Sequence, residues 1–202
     1  MKKYSSVLVT LTALLLSGCF GSSIKNTFDL SGDIKDVNHL KASQNILPRN
    51  NQQILIPEPT ALKLLDSENI VVRSSDSEVQ FLKNSQWSDR LPRMVQSKLI
   101  ESFENSQKLG AVGKPGQGLA IDYQVISVIR AFEINVQLKR VIIEISIKLI
   151  NDHNGLVKSQ HIFHVESPLE GNSNNAFVNS LNKSFTKISS EIVNWTLLAL
   201  SQ

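Results

Sequence analysis

The chain has 202 residues, 41% of them hydrophobic and 19% charged, with a formal net charge of +3. That composition supports one domain with a sizeable core and excludes wholesale disorder. The modest charge, and the acidic residues Asp89 and Glu101 among Arg90, Arg93 and Lys98, exclude the concentrated basic face of a nucleic-acid binder.

The chain opens on Met1-Lys2-Lys3, a positive segment, followed by a ten-residue apolar run from Val7 to Leu16. A membrane-spanning helix needs about 20 apolar residues, so the run is too short to span and reads as a secretory signal peptide. Leu16-Ser17-Gly18-Cys19 follows, with the only cysteine of the chain. One cysteine forms no internal disulfide; it is a free thiol, an intermolecular link or a modified residue. A branched apolar residue, two small ones and a cysteine form the lipobox pattern of bacterial lipoproteins. Leu16, Ser17 and Gly18 then make the signal-peptidase box. Cys19 receives a diacylglycerol thioether and an N-acyl chain, palmitate for example, as the one covalent group expected; no cofactor or metal is expected. One acyl chain holds a protein only marginally, whereas two or three on one residue anchor it lastingly. Cleavage leaves 184 residues with a net charge of +1. Residue 20 is Phe, not the Asp that retains many lipoproteins in the inner membrane. The expected location is therefore the cell envelope, lipid-anchored to the outer membrane and facing the periplasm.

Three parts are expected: residues 1–18 as signal peptide, 19–26 as a lipidated tether, and 27–202 as the folded domain. Thr27-Phe28-Asp29-Leu30 reads as a short first strand, and the polar stretch 44–53 as a loop. Ile54 to Ile56, stopped by Pro57 and Pro59, reads as a buried strand. Ala61 to Leu65 fits one helical turn. Residues 69–74 and 78–83 read as strands around a Ser-Asp-Ser turn. Leu91, Met94, Val95, Leu99 and Phe103 follow 3-and-4 spacing and predict a helix capped by Ser88 or Asp89 and ended by Gly110. Gly113 to Gly118 lacks the spacing of a phosphate loop, and Pro115 removes a donor, so it reads as a turn.

Three long strand patterns follow. Residues 119–129 and 141–149 alternate, and Asp152-His153-Asn154-Gly155 turns into residues 156–166; Asn-Gly between alternating runs is a hairpin signal. Ile126, Val128, Phe132 and Ile142 make the second face partly apolar as well, so helices are expected to cover part of both faces. A last helix, capped by Asn174 or Asn175, carries Phe177, Leu181, Phe185, Ile188, Ile192, Trp195 and Ala199 in one stripe. The stripe packs on the sheet or faces a partner or lipid. The fold class is α/β: a layered domain with a mixed, largely antiparallel sheet flanked by helices.

Catalytic chemistry finds few candidates. Lipid consumes the cysteine, and the chain has neither HExxH nor GxSxG. His161 and His164 are three apart in a strand, so they point to opposite faces and cannot share a metal. The expectation is a protein that is not an enzyme.

The stretch from Ile54 to Ser106 carries a resemblance. Pro57, Leu65-Asp66, Val71-Val72-Arg73, Phe81, Trp87, and the run Leu91, Pro92, Val95, Leu99, Phe103 resemble the ABC-type transport auxiliary lipoprotein component family, which includes the PqiC-type lipoproteins. Phe28-Asp29-Leu30 resembles that family's first strand, and the polar stretch 44–53 departs from its pattern. The family pattern has Trp87 opening a helix. The resemblance implies an α/β domain without catalytic residues. It also implies an accessory role beside an MCE-domain substrate-binding subunit and an ABC permease and ATPase, which move phospholipids or other hydrophobic molecules across the envelope. Trp87 is either a core residue or a partner-surface residue. Two other functions remain open: an envelope-assembly lipoprotein that regulates a cell-wall enzyme, and a stand-alone lipid carrier that holds the transported lipid under its last helix.

Overall fold

The computed structural model describes residues 25–31 and 51–202. The signal peptide, the lipobox residues Leu16 to Cys19, and most of the polar stretch 44–53 lie outside those residues. Among the described residues, nine strands form one mixed sheet: β1 (Asn26–Phe28), β2 (Gln53–Leu55), β3 (Thr60–Ala61), β4 (Asn69–Arg73), β5 (Val79–Trp87), β6 (Ala111–Gly113), β7 (Tyr123–Asn135), β8 (Arg140–Asn151) and β9 (Val157–Pro168). Among the described residues there are two helices, α1 (Leu91–Ser106) and α2 (Asn174–Ser201). The α/β layered class read from the sequence is the one observed.

β7 organises the sheet. Along one edge it pairs antiparallel with β8, which pairs with β9. Along its other edge it takes three short parallel partners in series: β2 at Tyr123–Gln124, β3 at Val128–Ile129 and β4 at Glu133–Asn135. β5 lies antiparallel to β4, and β1 parallel to β5. The β8–β9 turn is as expected: Gly155 sits at φ +72, a left-handed conformation that an L side chain resists. At the start of β6, a Cβ on residue 110 would fall 2.2 Å from the Asn51 carbonyl oxygen, so the close approach there requires Gly110.

Element ends shift from expectation for identifiable reasons. β5 runs through Asn84 (φ 54) to Trp87, so Trp87 closes a strand and does not open a helix. The loop before β4, not a side chain, meets the start of α1: Leu91 N–H donates to the Ser67 carbonyl at 3.1 Å. Asp89 instead accepts from the Arg90 N–H at 2.7 Å, one step before the helix. Ser173, not Asn174 or Asn175, caps α2, its Oγ accepting from Ala176 N–H. Asn174 donates to the Lys83 carbonyl and the Ser85 hydroxyl and so ties α2 to β5. β7 continues six residues beyond Ile129, past a bulge at Ile129–Ala131 that moves the inward positions to Phe132 and Ile134.

The two helices pack beside each other on one face of the sheet. α1 places Val95, Leu99 and Phe103 inward, all fully buried. α2 buries Leu181, Phe185, Ile188 and Ile192, and Phe185 meets Phe132 at 5.9 Å between rings. The stripe on α2 is therefore a core stripe, with Trp195 at its rim. Among the described residues, the second face is open, against the expectation of cover on both sides. Val128 and Ile162 there are 38% and 48% exposed. The alternation shows two apolar faces but not which one a helix takes. No described helix is long and apolar enough to cross a membrane.

Candidate interaction surface

Most of the residues that carried the family resemblance meet in one place. Leu65, Val71, Trp87, Leu91, Val95, Leu99 and Phe103 all belong to the buried core. Trp87 is 1% exposed and stands edge-on to Phe132 at 6.0 Å. It has no surface left for a partner, because the last residue of β5 points under the helices; the partner-surface reading of Trp87 gives way to the packing one. Asp66 accepts from the Arg90 guanidinium, which also reaches Glu58 at 3.0 Å, so the loop after β3 is fastened to the start of α1. Arg73 pairs with Glu133 at 2.5 and 2.9 Å, binding β4 to β7, and this contact holds the guanidinium above its ordinary range. The shared pattern thus specifies how the domain packs. Arg93 and Lys98 are likewise engaged, with Asp89 and Glu101, as a solvated helix face would be.

The open face of the sheet is where contact chemistry gathers. Across β7, β8 and β9 the register puts Val128, Ser146 and Ile162 in one row, and Ile126, Lys148 and Gln160 in the next. Beyond β7, Thr60 of β3 continues the first row. Leu62 follows, 77% exposed, and Phe81, opposite Val71 on β5, is 48% exposed. Beside this apolar strip runs a ladder of charged side chains linked through His164. Arg130 meets Glu144 at 3.5 Å, Glu144 meets His164 at 3.2 Å, His164 meets Glu166 at 3.2 Å and Glu166 meets Arg140 at 3.2 Å. All five side chains are partly exposed, so the ladder contributes little to stability. Its value is directional: apolar contact area beside fixed charges of both signs gives a partner both adhesion and register.

His161 takes the opposite face, as expected, and packs against Phe163 at 4.6 Å and Trp195 at 6.0 Å. Among the described residues, no three His, Cys, Asp or Glu side chains are arranged to hold a metal ion. Single-sequence reading missed the open face as a surface. The signal was present in the shared parity of Ile162, His164 and Glu166, but parity alone does not say which side lies bare.

Comparison with known proteins places the chain. The sequence model of the ABC-type transport auxiliary lipoprotein component family matches residues 38–193. An uncharacterized protein of Bradyrhizobium diazoefficiens is 30% identical over 168 residues, covering 80% of this chain; the chain spans only 44% of that relative's length. The crystal structure of a Xanthomonas campestris protein of family DUF330 superposes with a TM-score of 0.73 at 26% identity, over 78% of this chain and 90% of the other. A hypothetical protein of Chlamydia trachomatis shares the fold, with a TM-score of 0.54 at 12% identity over 75% of this chain and 99% of its own. The chain belongs to the ABC-type transport auxiliary lipoprotein component family.

Proposed function

We propose that the protein is a non-enzymatic subunit of an MCE/ABC-type system that moves phospholipids or other hydrophobic molecules across the envelope. Lipid on Cys19 holds it to the outer membrane with its body in the periplasm. The open sheet face docks onto the MCE-domain subunit and keeps the permease and ATPase complex in line with the anchor. The observation that supports this reading most directly is the bare strip of Val128, Ile162, Leu62 and Phe81 beside the charge ladder, in a chain whose family is auxiliary to ABC transport. Carrying a lipid would need room under α2, and α2 buries its apolar stripe directly against the sheet.

Two measurements test the reading. The lipidated protein should co-purify with an MCE-domain subunit of its own organism, and the pair Val128→Lys and Ile162→Lys should abolish that association. Wild-type protein that never associates sinks the docking. A deletion strain should show detergent sensitivity and loss of lipid asymmetry; cell-wall defects instead would favour the wall-enzyme reading. For the anchor, Cys19→Ser should leave an unprocessed, unacylated precursor.

A further inference from the structure

Two of the sheet's hairpin tips, one at each end, expose apolar side chains. The β7–β8 turn, residues 136–139, exposes Val136 (39%) and Leu138 (57%). The β8–β9 turn is followed by Leu156 and Val157, which are also exposed. A four-residue turn usually takes Gly, Asn, Asp or Ser, as Asp152 to Gly155 does; Val136-Gln137-Leu138-Lys139 does not. This second turn is also held firmly. Leu138 N–H donates to the Asn135 side chain at 2.9 Å, Val136 N–H donates to the Arg73 carbonyl at 3.1 Å, and Lys139 adopts φ 51. The two apolar side chains are thereby fixed outward, with Lys139 and Arg140 beside them.

Topology separates the two tips. β1 lies parallel to β5, whose first residue, Val79, pairs with Arg73, which in turn pairs with Asn135. The chain before Asn26 therefore leaves the body toward the Val136–Lys139 end. Thr27 stands level with Gln86 and Asn69, and so with the region of Ala131. Four strand residues, about 13 Å, remain to the Asn135 end. Cys19 precedes Asn26 by seven residues, a reach of at most roughly 25 Å. The tether can bring Cys19 level with the β7–β8 tip and past it. The opposite end lies eight strand residues the other way, about 25 Å, with the turn beyond. To reach it the tether would have to run fully extended against the direction of β1.

We propose that the β7–β8 tip is a membrane foot: Val136 and Leu138 insert into the headgroup region of the bilayer that holds Cys19, and the body stands end-on with the Leu156 end away from the lipid. This rests on the lipid-anchor reading above. Apolar residues flanked by cations suit an interface where acyl chains meet charged headgroups.

The test uses the acylated full-length protein in phosphatidylethanolamine–phosphatidylglycerol vesicles containing a doxyl-labelled lipid quencher. Acylation occupies the Cys19 thiol, so Leu138→Cys and, separately, Leu156→Cys each supply one site for an environment-sensitive fluorophore. Quenching should be several-fold stronger at position 138 than at 156. Equal quenching, or stronger quenching at 156, overturns the foot. Val136→Cys gives a second reading of the same tip should Leu138→Cys fail to fold. The mass of the mature N-terminus separates the two ideas: an acylated Cys19 with an unquenched tip sinks the foot alone, and an unacylated Cys19 sinks the anchor and the foot together.

Discussion

The two faces of β7, β8 and β9 come from the same residues taken alternately, yet they are built to different ends. On the helix side Val125, Ile129, Ile143, Ile145, Ile147, Phe163 and Val165 are buried under α1 and α2. On the other side, one residue away in each strand, Val128 and Ile162 stand in solvent beside four charged side chains linked through His164. The helix side holds most of the residues that mark the family, whereas the bare side holds most of what a partner could touch. Fold and function are separated by a single step of strand alternation, so a one-residue slip of register would exchange them.

The helix side should break first. Trp87 fills the centre of the core against Phe132, and Trp87→Ala leaves a cavity under α2. Unfolding in urea should show a loss of about 3–5 kcal/mol. A loss below about 1 kcal/mol would mean that the site collapses around the gap and that Trp87 is not central to packing.

The same side carries a defect that can be repaired. Thr196 is fully buried on α2, and its hydroxyl has no hydrogen-bond partner. Burying an unpaired hydroxyl is unfavourable, and Thr→Val removes it at almost constant shape. Thr196→Val should stabilise the fold by about 1 kcal/mol. A destabilised variant would show that the hydroxyl has a partner in solution.

The bare side should behave in the opposite way. Val128→Lys and Ile162→Lys change partly exposed side chains and leave no buried cavity or buried charge, so even with the lower strand propensity of lysine each should change stability by less than about 1 kcal/mol. Association with the MCE subunit should be lost in the same protein. Unfolding midpoints and pull-downs on one preparation decide between surface and core. If stability collapses with binding, the two faces are not independent.

Much of this division was legible in the sequence, but not all of it. The 3-and-4 spacing of Leu91 to Phe103 and of Phe177 to Trp195 gave both helices, because an amphipathic stripe has one period whatever it packs against. Asn154-Gly155 gave the β8–β9 hairpin. The end of β5 did not show itself, since Asn84-Ser85-Gln86 is polar and the strand crosses an irregular pairing there. The far half of β7 was hidden by the bulge at Ile129–Ala131, which breaks the period of two. The bare face was hidden for a different reason: Ile126, Val128, Ile142 and Ile162 are as apolar as residues under a helix, and only the placement of α1 and α2 leaves them outside.

The smallest expected effect lies where α1 begins, at the border of the packed side. Asp89 accepts from the Arg90 N–H and meets Arg93 at 3.1 Å. The backbone hydrogen bond first, then the Arg93 guanidinium, holds its carboxyl below the usual aspartate range. A carboxylate whose pKa is lowered by folding adds stability above its unfolded pKa, about 3.9, and that stability is lost as pH falls through the folded value. The contribution is therefore complete at neutral pH and disappears below about pH 4. Because Asp89 is exposed, solvent and salt screen it, so the effect is slight. Asp89→Asn keeps the shape and an acceptor oxygen but removes the titration. Urea midpoints followed from neutral pH downward should fall less steeply below about pH 4 in the variant than in the parent. Superimposable acid limbs would show that Asp89 is no more tightly held in the folded chain than in the unfolded one.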